Sequence, residues 1–270
     1  MSDKSGHQRT TEPPSVRALT QKSLAKLGVM TGDTLEQRTL GERTRYREQL
    51  LQQQKQKNIE QVVAIALQHS SDSDAGTVLD PDWLQHFVEL AEATLNPQMQ
   101  QLWGKILAEE GRSPGSFSLK ALDTLRSMTI KEAHYFQRLC ALRASWGSGG
   151  RRILLGWIDH QHWWQVIKGE VAKTVSLGAH GISYSAQLAL ADIGLLYPTE
   201  LESGELSAEP LALNINGQRF IVTPKRSGLK LVYLRFSPVG DELSQLLPEN
   251  GRQSYLDALH KLLSEAFEIK

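Results

Sequence analysis

The sequence predicts a mainly α-helical chain with a small β part: a compact central helical domain followed by a winged-helix-like α+β module. Three observations lead there. Apolar residues recur at helical spacing through much of the stretch 59–139. Start signals for four short helices crowd into about 65 residues. Beyond the break SWGSGG (145–150), Asn216-Gly217 sits between the alternating segments LALNI and QRFIV, the strongest short hairpin signal available.

Taken in order, residues 1–15 are polar with a Pro13-Pro14 pair and read as a disordered tail. Residues 16–76 form an N-terminal helical arm and linker. Its helical signal runs from about Glu36 to Gln68. The first half, ERTRYREQLLQQQKQKN, is rich in Arg, Gln and Lys; the second places Ile59, Val62, Val63, Ala66 and Leu67 on one stripe. Such a helix either projects at one end and docks at the other or pairs with a second chain, although its seam is short for a coiled coil. SSDSDAG (70–76) is the linker.

Residues 77–145 form the compact helical domain. Asp80-Pro81 and Asn96-Pro97 each read as an N-cap followed by proline at the first helical position, where the missing N–H costs nothing. Trp83, Phe87, Leu90 and Ala91 give the first stripe; Met99, Leu102, Trp103, Ile106 and Leu107 give the second, with Gly111 as a left-handed stop. Ser118 caps a third helix, and Thr129 with Glu132 forms a capping box for a fourth carrying Phe136 and Leu139.

Residues 146–270 form the winged-helix-like domain. The stretch 153–174 is apolar and Trp-rich, then helical in spacing. Residues 184–196 read as a helix ending near Gly194. The hairpin at Leu211–Thr223 and a third strand at 229–236 follow. Ser237-Pro238 opens a helix through Leu247, and a last helix from Gly251 carries Tyr255, Leu256, Leu259, Leu262, Leu263 and Phe267.

Composition narrows the function classes. Thirty basic residues balance thirty acidic ones, so no global attraction to polyanions exists, but the balance is local: residues 1–57 carry 11 basic and 6 acidic residues, 58–145 carry 7 and 11. Cys140 is the single cysteine, which excludes an intrachain disulfide. The start lacks the apolar run of a signal peptide, and no run approaches a membrane span of about 18 apolar residues. The expectation is a cytoplasmic protein without membrane contact.

No residue set completes a catalytic constellation. There is no phosphate-binding glycine loop, no Gly-x-Ser-x-Gly and no His-Glu-x-x-His. His160 and His162 can share a face in extended chain, but no third ligand lies at a recognisable spacing, so ordinary exposed or indole-packed histidines are the competing reading. Glu109-Glu110 reads as a solvated helix end, since adjacent helical residues do not converge on one substrate. Cys140 falls in an apolar stripe and lacks an activating base. The expectation is therefore no cofactor, no metal and no enzymatic activity.

Two surfaces are candidate contacts. Trp157, Trp163 and Trp164 are interface aromatics or a stacking platform, with few cations nearby for the latter. Arg219, Lys225, Arg226, Lys230 and Arg235 lie in a stretch, 210–240, that has no acidic residue. In a winged-helix layout TPKRSGLK (223–230) would be the wing tip, where cations reach phosphates. Basic residues also protect sheet edges from pairing, and both readings stand.

Residues 80–136 carry a resemblance. Trp83, Met99-Gln100, Leu102-Trp103, Ile106-Leu107-Ala108, Glu110, the run Pro114-Gly115-Ser116-Phe117-Ser118, a Leu-rich helix and an aromatic near 136 resemble an uncharacterised bacterial family, domain of unknown function 2806. Asn58-Ile59-Glu60 fits its upstream helix. The resemblance covers roughly 55–145 well and 146–270 loosely. It implies no activity and no site residues, and it extends distantly to abortive-infection alpha proteins of phage exclusion. The resulting expectation is a non-enzymatic binding or scaffold protein acting through a protein partner. A nucleic-acid-binding regulator using the basic hairpin and a phage-defence component are the alternatives. Self-association through the N-terminal helix is a further option.

Overall fold

The computed structural model describes residues 15–71, 76, 78–159 and 172–270. Helices α1 (Val16–Ala25), α2 (Asp33–Glu36) and α3 (Leu40–His69) form the arm. Helices α4 (Pro81–Glu92), α5 (Pro97–Arg112), α6 (Leu119–Ser127) and α7 (Ile130–Cys140) follow. Strands β1 (Arg143–Ser145), β2 (Arg152–Asp159) and β3 (Lys173–Thr174) lead to α8 (Tyr184–Asp192). Then come β4 (Leu201–Glu202), β5 (Leu211–Ile215), β6 (Gln218–Pro224), β7 (Leu229–Arg235), α9 (Pro238–Ser244), α10 (Gln253–Leu263) and β8 (Phe267–Ile269). The fold is mixed α+β, helix-rich with an open antiparallel sheet.

The expected caps form. Asp80 accepts from Trp83 N at 2.9 Å, Asn96 from Gln98 N at 2.8 Å, and Ser118 from Ala121 N at 3.2 Å. Thr129 and Glu132 close the capping box. Gly111 is no left-handed stop: α5 continues through Arg112, and the left-handed glycine is Gly115, at φ 87°.

The stripe of α3 is also offset from the one the spacing predicts. Asn58, Val62, Ile65 and Ala66 are buried, while Val63 and Leu67 are exposed. The reason is a close crossing with α5 at Gly104, where an added Cβ would lie 2.4 Å from Ile65 Cγ2. The missing side chain admits Ile65 and turns that face of α3 inward. Asn58, buried beside it, is satisfied: its amide donates to Glu92 O at 2.8 Å and its oxygen accepts from Gln54 and Gln100.

The C-terminal part departs further from expectation. The hairpin and third strand are present, with Asn216 and Gly217 at φ 51° and 83° in a turn of the hairpin type. They belong, however, to an eight-stranded sheet of order β4-β7-β2-β1-β5-β6-β8, with β3 also on β2. The Trp-rich stretch contributes a central strand: β2 is buried along both faces and pairs with β7 over most of its length. Short β1, in a segment expected to be helical, joins β2 to β5. Phe267 lies in β8, not on the last helix.

Strands β6 and β7 are joined by residues 225–228 alone, yet β2, β1 and β5 lie between them. Four antiparallel steps leave β6 and β7 running the same way, so in a flat sheet the end of β6 and the start of β7 would lie at opposite ends, ~19 Å apart across the strands alone and out of reach of four residues. The connection instead contains a turn at Gly228 (φ 83°), so the sheet must curl. A register shift at Leu154/Gly156 bends β2, and α10 packs against it: Tyr255 Oη donates to Leu154 O at 2.5 Å and Trp157 Nε1 to Leu262 O at 3.0 Å.

One apolar cluster runs from Val62 through the helical layer into the sheet and α10. Phe136 of α7 meets Phe236 edge-on at 6.1 Å, and Glu242 of α9 accepts from both the N–H and hydroxyl of Ser118.

Candidate functional site

Three surfaces carry the candidate chemistry: the basic hairpin region, a cleft where helices meet sheet, and the arm.

In the hairpin region the five cations do not form one field. Lys225, Arg226 and Lys230 gather around the loop that joins β6 to β7, while Arg219 at the start of β6 and Arg235 at the end of β7 lie at the far ends of those strands, near β1. The loop 225–228 does not tip a hairpin, because β6 and β7 do not pair. Nor are the gathered cations free. Arg226 Nε donates to Asp159 Oδ2 at 2.7 Å, Lys230 Nζ to Glu202 Oε2 at 3.1 Å, and Lys225 Nζ to Ser264 O at 2.6 Å. Glu205 accepts from Gly228 N at 2.8 Å. Carboxylates far away in sequence thus neutralise a stretch that has none of its own. Arg235 stands opposite Arg152 near Asp241, whose carboxyl burial pushes up while the Arg151 N–H and the guanidinium groups of Arg151, Arg235 and Arg152 pull it back.

Trp157 is buried, and the side chains of Lys173 and Arg226 lie over its ring at 5.1 and 5.5 Å. It anchors α10 and is no open stacking platform. Trp163, Trp164, His160 and His162 lie outside the described residues. Among the described residues, no group of three or more His, Cys, Asp or Glu could hold a metal ion. Cys140 is buried, and burial pushes its thiol up to about 12, which removes thiolate chemistry near neutral pH.

The cleft, about 630 Å³, opens between the end of α5 and residues 245–249. Lys105, Arg112, Arg143 and Arg151 line it with Glu109 and Glu249. Most of its charge is structural. Arg143, buried, donates to Ser244 O at 2.8 Å and Leu247 O at 3.1 Å, with Glu249 at 3.6 Å; Arg112 pairs with Glu109. Glu110, expected at a solvated helix end, is 4% exposed and accepts from Gly115 N at 2.6 Å and Phe117 N at 2.9 Å. Spacing gave no sign of this, because the donors lie in a loop that folds back past the helix end.

The arm is built differently. Ser15 caps α1, in which no residue is buried. Gly28, at φ 73°, turns the chain back so closely that a Cβ there would lie 3.1 Å from Arg47 Cα. Val29, Met30, Leu35, Leu40 and Leu51 line a small hollow where α1 and α2 meet α3. Thr39 and Glu42 close a capping box, whose hydrogen bonds hold the Glu42 carboxyl below its usual value. Helix α3 is 30 residues long, or ~45 Å, and its buried residues all lie from Asn58 onward. The first half stands away from the body with Arg45, Tyr46 and Arg47 exposed.

A family model described as protein of unknown function (DUF2806) matches residues 42–260. The chain belongs to that family. The match reaches beyond the motif at 80–136 into the outer half of α3 and through the curled sheet to α10. The DUF2806 motif residues are internal wiring: Trp83 Nε1 donates to Phe117 O at 2.7 Å, Trp103 Nε1 to Thr94 Oγ1 at 3.0 Å, and Glu110 gathers the Pro114–Phe117 loop. Neither the curated proteins nor the solved structures contain a match to the chain. No helix among the described residues is long and apolar enough to cross a membrane.

Proposed function

We propose that the protein is a non-enzymatic binding or scaffold protein that engages its partner through the N-terminal arm. The observation behind this reading is the division of α3. Its inner half is locked into the body by Val62, Ile65 and Ala66, while its outer half and α1 bury no residue in the fold. Val16, Leu19, Leu27, Leu35 and Leu40 are exposed there. Ordering about 40 residues into such an arm costs conformational entropy that little burial offsets, so contacts outside the fold are the natural source of compensation.

Affinity capture from a native host tests it, comparing the parent with a variant carrying Leu19→Glu and Leu40→Glu. The variant should lose specific partners at unchanged stability; identical captured material would defeat the reading.

Nucleic-acid contact through the basic hairpin is the weaker alternative, since Asp159 and Glu202 already occupy Arg226 and Lys230. The winged-helix-like description of 146–270 rests on its element order, helix then hairpin then strand. A phage-defence role of the abortive-infection type and a bacterial, cytoplasmic setting rest on the family resemblance and belong to the same proposal.

A further inference from the structure

Among the described residues, cations without an ion pair gather on the arm, in contrast to Arg226 and Lys230 of the hairpin region. Residues 15–57 carry nine lysines and arginines against four carboxylates. One of the four, Glu42, is spent on its own capping box. Among the described residues, Lys55 is the only one of the nine cations with an ion pair, to Glu92 at 2.5 Å at the base of the arm. Arg17, Lys22, Lys26, Arg45 and Arg47 are exposed, and Arg38 lies over the Tyr46 ring at 5.3 Å. The contrast with Lys225, Arg226 and Lys230, each held by an internal acceptor, is direct.

From this we infer that the arm binds the phosphate backbone of nucleic acid. The inference rests on the arm being the partner-binding surface and names its partner. Charge complementarity selects the class. A second copy would bring a like-charged arm against the first, which electrostatic repulsion opposes. A helix that lies in a membrane surface buries a broad apolar face, whereas the outer half of α3 is rich in Arg and Gln. Guanidinium, ammonium and amide groups are the usual donors to phosphate oxygens. The exposed leucines near α1 and α2 sit beside this polar rod and do not form a continuous face along it.

The test is fluorescence anisotropy of the full chain with a labelled duplex DNA of mixed sequence and a labelled single-stranded RNA. If four phosphates are neutralised, affinity should fall about 100-fold between about 50 and 200 mM salt. Replacing Lys22, Lys26 and Arg45 by Gln should flatten the slope of log affinity against log salt by up to ~2.7, and Lys225→Gln with Arg226→Gln should leave it unchanged. Circular dichroism melts of each variant separate lost binding from lost folding. No binding of either probe at low salt overturns the inference, as does equal binding by parent and arm variant. Binding to anionic vesicles alone, or a dimer dissolved by the arm substitutions, also overturns it. If capture still depends on Leu19 and Leu40 in that case, the partner-binding reading stands and the nucleic-acid inference alone falls.

Discussion

Replacing Gly104 by alanine should destabilise the fold, although glycine in a helix interior ordinarily costs about 1 kcal/mol relative to alanine. The added methyl would sit 2.4 Å from Ile65 Cγ2, 2.7 Å from Ile65 Cβ and 3.2 Å from Ala66 N, where carbon contacts are normally ~3.5–4.0 Å. A rotamer change moves Cγ2 but not Cβ, and a β-branched side chain in a helix has one preferred rotamer. Relief therefore requires α3 and α5 to separate by about 1 Å, disturbing the packing of Val62 and Trp103. Overpacking of this kind costs about 1–3 kcal/mol, so a net loss of up to about 2 kcal/mol remains after the propensity gain of about 1 kcal/mol. Gly111→Ala is the control: it lies in the same helix with nothing within 4 Å of an added Cβ and should be neutral or stabilising by up to about 1 kcal/mol. Urea unfolding followed by tryptophan fluorescence reads both, as midpoint shifts at constant slope. If Gly104→Ala gains as much stability as Gly111→Ala, the close crossing is not real.

Further outcomes follow from single contacts. Glu110→Ala leaves the Gly115 and Phe117 N–H groups without their acceptor and should cost about 2–4 kcal/mol; Glu110→Gln, keeping one oxygen, should cost less in the same unfolding assay. Cys140 should resist alkylation at pH 8 in the native protein and react on denaturation, readable by mass spectrometry, because burial raises its thiol to about 12. His180 is held below its usual value, first by burial and then by Arg252. The unfolded chain thus takes up that proton more readily, so the contribution is complete above the unfolded value of 6.5 and is lost as pH falls toward the lower folded value. His180→Gln should flatten melting temperature against pH below about 6.5. Gly217→Ala, at φ 83°, should cost about 1–2 kcal/mol in thermal melts.

Local signals carried much of the helical layer into view. Caps at Asp80, Asn96, Ser118 and Thr129 act over two or three residues, and each is found where the spacing puts it. The hairpin at Asn216-Gly217 is equally local. What stayed hidden depends on partners far along the chain. Strand β2 looks like a buried apolar segment of either kind until Leu229–Arg235 arrives beside it. The stripe of α3 cannot be phased without knowing that Gly104 lies opposite. The basic stretch 210–240 reads as a cationic surface because Asp159, Glu202 and Glu205 are invisible to a local window. On the arm, where little else approaches, the sequence charge and the surface charge coincide.

The placement of β2 has a consequence for biosynthesis. Its long partner, β7, lies some 70 residues downstream. At about 5–20 residues per second a ribosome needs roughly 4–14 s to deliver it. For that interval the nascent chain holds a strand that is apolar on both sides and lacks its chief neighbour, the kind of segment that recruits chaperones or seeds aggregates. Expression yield should consequently respond to elongation rate and growth temperature more sharply than the stability of the finished fold would suggest.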